Sequence, residues 1–98
     1  MEHPIVHDTK RHRFVMELDG GRALVTYKLF EGGIAFLHTE VPAAFEGRGI
    51  AAQLAHHVLE YAKEHDLKVK PYCPYIKSYI DRHPEYQSIS LFHTPAAE

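Results

Sequence analysis

The chain has 98 residues, one cysteine and a formal net charge of -2. At this length one domain is expected, with enough buried surface for a single sheet carrying one or two helices. A lone cysteine excludes an internal disulfide framework. No run of Lys and Arg supplies the basic face a nucleic-acid binder needs; the nearest thing is Lys10, Arg11 and Arg13. No apolar stretch reaches the length of a membrane span, and Met1-Glu2-His3-Pro4 does not begin like a signal peptide. The cytoplasm is the expected compartment, with no membrane partner.

Residues His12 to Leu18 alternate, with Phe14, Met16 and Leu18 on one side, which is strand periodicity. Asp19-Gly20-Gly21 then signals a hairpin. Arg22 to Phe30 continues as a strand rich in Val, Thr, Tyr and Leu. After Glu31-Gly32-Gly33, a third strand is expected over Ile34 to Val41. Strict alternation puts His38 and Glu40 on one of its faces with Ile34 and Phe36, and Leu37, Thr39 and Val41 on the other. Pro42 ends its ladder, and Ala43 to Gly47 read as a loop.

A helix is expected from about Arg48 to His65, because Ile50, Leu54, Val58 and Tyr61 recur at helical spacing. Lys68 to Tyr72 reads as a fourth strand. Pro74 suits the first position of a second helix reaching Arg82, and Pro84 stops it. From His93 the chain reads as a flexible tail. The fold class is therefore α+β: an antiparallel meander, a β-α-β unit whose two strands run parallel, and a short helix. The domain is expected over residues 1–92 and the tail over 93–98.

The nine histidines are scattered. His3 and His7 have i,i+4 spacing but Pro4 intervenes, and the adjacent His56 and His57 point in different directions on a helix. No metal site is expected from them.

The informative segment is Val41-Pro42-Ala43-Ala44-Phe45-Glu46-Gly47-Arg48-Gly49-Ile50-Ala51. Two glycines stand between a strand and an amphipathic helix. A helix N-terminus offers unpaired backbone N–H groups and the positive end of the macrodipole, and glycine lets a phosphate approach that backbone. The first turn carries no carboxylate, which suits an anionic ligand. Gly-x-Gly before a helix also suits a plain tight turn, and alone it does not separate the two. A dinucleotide-binding reading fits less well, because the third glycine is missing and no parallel sheet precedes it.

Glu46-Gly47-Arg48-Gly49-Ile50-Ala51 resembles motif A of the GNAT superfamily of acyl-CoA N-acyltransferases, Gln/Arg-x-x-Gly-x-Gly/Ala. His38-Thr39-Glu40-Val41-Pro42 and Tyr72-Cys73-Pro74-Tyr75 resemble its short, single-domain YjdJ-like branch. The likeness covers about residues 12 to 90. It implies a minimal fold of that kind, with the third and fourth predicted strands splayed. It implies acetyl-CoA as co-substrate, its pyrophosphate on the backbone of Glu46, Gly47, Arg48, Gly49, Ile50 and Ala51, and its pantetheine arm along Thr39, Glu40 and Val41. Glu46 departs from the family's Gln or Arg and would repel a pyrophosphate if it faced one. The strands that wall the acceptor site in longer members are absent, as is the Gly-Phe pair expected after Tyr79.

The expected function is acetyl-CoA-dependent N-acetylation of an unidentified amine, with a non-catalytic CoA-binding module as the alternative. A monomer or weak homodimer is expected. Amide formation needs a base for the amine and a proton for the leaving thiolate. Glu40 or His38 is the candidate base, although a core or half-buried, hydrogen-bonded imidazole is the preferred reading of His38. Cys73, at a helix start, is a candidate nucleophile or proton donor, and as a small buried residue it is also a candidate for packing. Tyr79 matches the family's proton-donating tyrosine and equally suits packing on the sheet. Arg48, Lys77 and Arg82 are cations that could reach phosphates, and Lys77 and Arg82 read more simply as surface residues.

Overall fold

Alternating apolar residues and tight turns fold residues 5–40 into an antiparallel meander. The structure, a computed structural model, describes residues 4–93. Its strands are β1 (Ile5–Asp8), β2 (Arg13–Leu18), β3 (Gly21–Phe30), β4 (Gly33–Glu40) and β5 (Lys68–Pro71), ordered in the sheet as they are in the chain. Helix α1 (Ile50–Glu64) crosses from β4 to β5, which pair in parallel as expected of a β-α-β unit. Helix α2 (Pro74–Arg82) follows, and 3₁₀ turns occupy Ala43–Phe45 and Pro84–Ile89. The α+β class holds. His3 and residues 94–98 of the expected tail lie outside the described residues. His93 is held, its ring 2.6 Å from the Ser90 hydroxyl and 2.5 Å from the Asp81 carboxylate.

Three readings of the sequence change. First, β1 was not expected. It is four residues long, and on its inner face stands a histidine where the apolar period calls for a hydrophobe. His7 substitutes for one by stacking on Phe14 at 4.1 Å, with its Nε2 2.5 Å from the Tyr27 hydroxyl. Second, α1 starts at Ile50 rather than Arg48, because Gly49 is left-handed and serves as the N-cap.

The third change bears on function. β4 pairs Phe36 with Tyr27 but His38 with Thr26, so Leu37 is an extra residue, a β-bulge. An inserted residue reverses the alternation. Ile34 and Phe36 face the helices and are fully buried, whereas His38 and Glu40 emerge on the opposite face. Thr39 and Val41 take over the helix side: Thr39 meets Cys73, and Val41 packs against the core. His38 is correspondingly no half-buried imidazole; its side chain is 60% exposed.

The core lies on one face of the sheet. Phe14, Met16, Val25, Ile34 and Phe36 meet Leu54, Val58 and Leu59 of α1 and Ile76 and Ile80 of α2, all fully buried. Each such side chain contributes about 1.5–3 kcal/mol by leaving water. The buried Tyr86 hydroxyl donates to Glu60 at 2.6 Å, fastening the last 3₁₀ turn to α1.

Candidate functional site

β4 and β5 pair only from Gly33–Lys68 to Phe36–Pro71. One further contact, the Cys73 N–H donating to the Phe36 carbonyl at 2.9 Å, closes the seam. Beyond it Pro74 begins α2 and carries the chain away, while β4 runs on through Thr39 and Glu40. The strands therefore splay, as the resemblance implied.

The opening leads into a cleft of about 520 Å³, lined by Thr39, Glu40, Val41, Glu46, Ala51 and Tyr75 together with Arg22 and Pro42. A hollow of about 270 Å³ adjoins it over Gly47, Gly49 and Ile50, sharing Val41, Glu46, Ala51 and Tyr75. Eight of the nine residues expected to hold the coenzyme thus meet at one place. Arg48 is the exception; its guanidinium lies over the Phe45 ring, 5.3 Å from the centroid.

The backbone explains the shape. Gly47 and Gly49 have φ of 82° and 77°, values an L side chain rarely adopts. A Cβ on either would meet no atom within 4 Å, so open space rather than packed side chain lies over both. The first helical hydrogen bond runs from the Gln53 N–H to the Gly49 carbonyl at 3.0 Å. The N–H groups of the first helical turn precede it and lack intrahelical acceptors. No side chain caps them, and the first turn has no acid. Such a terminus, bordered by open space, fits a diphosphate. Glu46 lines both hollows, so a diphosphate held there would lie beside an acidic residue.

Glu40 lines the cleft, with one carboxylate oxygen 3.2 Å from the His38 Nε2. Cys73 N-caps α2 and is buried, its Sγ 3.2 Å from the Thr39 hydroxyl oxygen. It therefore sits under the point where the seam opens. Tyr79 does not join them. It stacks on His83 with ring centroids 3.8 Å apart, and burial raises its pKa, with Tyr75 and Glu85 adding to the shift. The tyrosine of α2 that lines the cleft is Tyr75, one turn earlier. Sequence reading missed it, although a first-turn position directly after Cys73-Pro74 was the available signal. Lys77 pairs with Asp81 at 3.7 Å and Arg82 donates to the Ser78 hydroxyl at 3.0 Å, so both are engaged within α2. Among the described residues no helix is long and apolar enough to cross a membrane, and no group of three or more His, Cys, Asp and Glu is placed to hold a metal ion.

Residues 13–89 match the family model for GCN5-related N-acetyl-transferases. The protein NATD1 of Gallus gallus is 42% identical over 83 residues, spanning 82% of this chain and 76% of that protein. NATD1 of Homo sapiens is 41% identical over the same length, spanning 82% and 74%. The solution structure of a GCN5-like protein from Staphylococcus aureus superposes with a TM-score of 0.72 at 26% identity, covering 90% of this chain and 87% of that one.

Proposed function

The chain belongs to the GCN5-related N-acetyltransferase family, and from that premise we propose that it binds acetyl-CoA at the splayed end of β4 and β5 and transfers the acetyl group to an amine. The observation that carries this reading is the convergence on one cleft of three features. These are a strand that has lost its parallel neighbour, two left-handed glycines, and an uncapped helix N-terminus. A strand without its neighbour keeps backbone donors and acceptors free, which suits the amides of a pantetheine arm along Thr39 to Val41. The glycines and the first turn of α1 suit the diphosphate.

The co-substrate supplies an activated thioester; the remaining work falls to side chains. Glu40, oriented by His38, takes a proton from the incoming ammonium so that a neutral amine attacks. Cys73, beside Thr39 at the seam, gives a proton to the departing thiolate. Tyr79 is too engaged in packing for that role. The Thr39 hydroxyl beside Sγ holds the thiol's position.

Calorimetric titration with coenzyme A tests the binding half. Micromolar affinity, about -8 kcal/mol, is the expected result. Thiol release from acetyl-CoA in the presence of mixed amines tests the catalytic half. A second reading, a module that binds the coenzyme without turning it over, draws on Glu46, an acidic residue in the lining of the proposed anion site. Binding without thiol release from any amine would establish that reading instead.

A further inference from the structure

The reverse side of the seam carries a second pocket. Leu37 and Tyr72 flank the point where β4 and β5 part, and both are exposed. With Lys28, Phe30, Ala35 and Lys70 they wall a pocket of about 270 Å³. Its position follows from the register. Lys28, Ala35 and Lys70 stand in one row across β3, β4 and β5. That row is one residue out of step with Ile34 and Val69, which are fully buried under the helices, so it lies on the opposite face.

The charge of this pocket is one-sided. Its lining contains two lysines and no carboxylate. Elsewhere on the same face the arginines are matched: Arg13 to Asp8 at 3.4 Å, Arg22 to Glu17 at 3.8 Å. Neither Lys28 nor Lys70 takes part in an ion pair among the described residues. The Lys70 ammonium instead lies over the Phe30 ring, 4.4 Å from its centroid. Two lysines in an otherwise apolar lining favour an anion, and the low polarity of that lining strengthens the attraction.

The pocket is also next to the chemistry. Leu37 is followed by His38, which the bulge turns to this same face opposite Thr26, two residues from Lys28 on β3. Glu40 lies two residues further along on the same face and lines the proposed coenzyme cleft. We propose that this pocket is the acceptor site, resting on the acetyl-CoA reading above, and that the acceptor is an amine bearing a carboxylate or phosphate group. With its acid between Lys28 and Lys70, the amine end lies along β4 toward His38 and Glu40. The ammonium gives one proton to Glu40, and the nitrogen–carbon bond forms as the thioester carbon–sulfur bond breaks. The thiolate takes a proton from Cys73, and the second nitrogen proton restores that thiol. One amide, one coenzyme thiol and one proton to solvent result.

The test uses matched probes with saturating acetyl-CoA: β-alanine against β-alaninamide, phosphoethanolamine against ethanolamine, and spermidine as a cationic control. At least one acidic amine should exceed its neutral counterpart about tenfold in kcat/KM. Which pair responds separates carboxylate from phosphate recognition. Lys28→Met and Lys70→Met should each raise KM for that amine about tenfold, with kcat and coenzyme affinity unchanged. Faster turnover of a neutral amine or of spermidine overturns the proposal. So does a loss of coenzyme affinity in the lysine variants, which would give the pocket to the coenzyme's own phosphates. A measurement independent of turnover is the methyl shift of Ala35 and Leu37 on adding β-alanine or phosphoethanolamine to the protein saturated with coenzyme A. Movement that disappears in Lys28→Met is expected, and no movement with either probe defeats the acceptor site. Failure to bind coenzyme A at all would instead defeat the acetyltransferase reading.

Discussion

The two halves of β4 belong to one strand, yet they differ in composition and in surroundings. From Gly33 to Phe36 the strand is paired on both sides, and Ile34, Ala35 and Phe36 are buried. From Leu37 to Glu40 it keeps β3 but loses β5, and only Thr39 is even half-buried. One inserted residue separates the halves. It turns the strand's inner set of side chains over, at the place where Tyr72-Cys73-Pro74 takes the other strand away. The first half is an anchor whose cost of disruption is a packing cost. The second is an edge within a sheet, and an edge is where a partner's backbone can add. The cleft opens where the parallel pairing of the anchored half ends.

The largest effect should come from breaking the anchor. Phe36→Ala removes a fully buried aromatic that meets both helices' side of the core, at about 3–5 kcal/mol. A urea unfolding series should show that loss in the midpoint with little change in slope. A cost under about 1 kcal/mol would mean that the closed half is not what holds the seam.

Changes in the open half should act on turnover rather than on stability. Glu40→Gln removes the proposed base from an exposed position and should lower kcat about a hundredfold while moving the thermal midpoint little. Cys73→Ala separates three roles. As a proton donor its loss should cost about a hundredfold in turnover with no acetyl adduct in the mass spectrum of the parent protein. An added acetyl mass that disappears in the variant would make Cys73 a nucleophile instead. Unchanged turnover with about 1 kcal/mol lost from stability would leave it a packing residue.

The same contrast decides what could be read from sequence. The closed half was legible: Ile34 and Phe36 alternate, the β-α-β order fixes parallel pairing, and Pro74 marks where β5 must end. The glycine turn was legible because Gly47 and Gly49 stand between a strand and an amphipathic helix. The faces of the open half were not. A bulge at Leu37 leaves no compositional trace, since Leu suits a strand on either face. Without it, strict alternation sends His38 and Glu40 to the wrong side. Tyr75 was overlooked for a related reason. Tyr75 and Tyr79 are equivalent by helical period, and only the packing of His83 on Tyr79 tells which one the core takes.

A smaller effect should arise where the helix begins. Gly49→Val forces a β-branched residue to φ near 77° and places methyl groups in the open space over the first turn of α1. Coenzyme A affinity should fall at least tenfold, about 1.4 kcal/mol, in calorimetry. Backbone strain alone would lower the thermal midpoint without touching affinity. A folded variant with unchanged binding would take Gly49 out of the site.

The smallest effect should come from the far edge of the sheet, and it should leave the open half alone. His7 on β1 faces Phe14 and Tyr27 across the sheet, Tyr61 and His57 on α1, His65 just past its end, His12 in the first turn, and Asp8 beside it. Burial lowers its pKa, the positive fields of His57, His65 and His12 add to the lowering, and Asp8 opposes it. His57 is lowered as well, chiefly by burial. A folded pKa below the unfolded value, about 6.5, means that the unfolded chain takes up the proton first. Stability is therefore whole above that value and declines as pH falls through it toward the folded pKa. Chemical unfolding at pH 8 and at pH 5.5 should show a lower midpoint in acid. His7→Phe keeps the stack on Phe14 but has no proton to gain, so its midpoint should fall less over the same interval. Coenzyme affinity of the folded protein should be equally independent of this substitution, because β1 and the cleft lie on opposite sides of β3. An affinity change in His7→Phe would show that the edge strand and the splayed seam are coupled, and would end the separation between the anchored and open parts of the sheet.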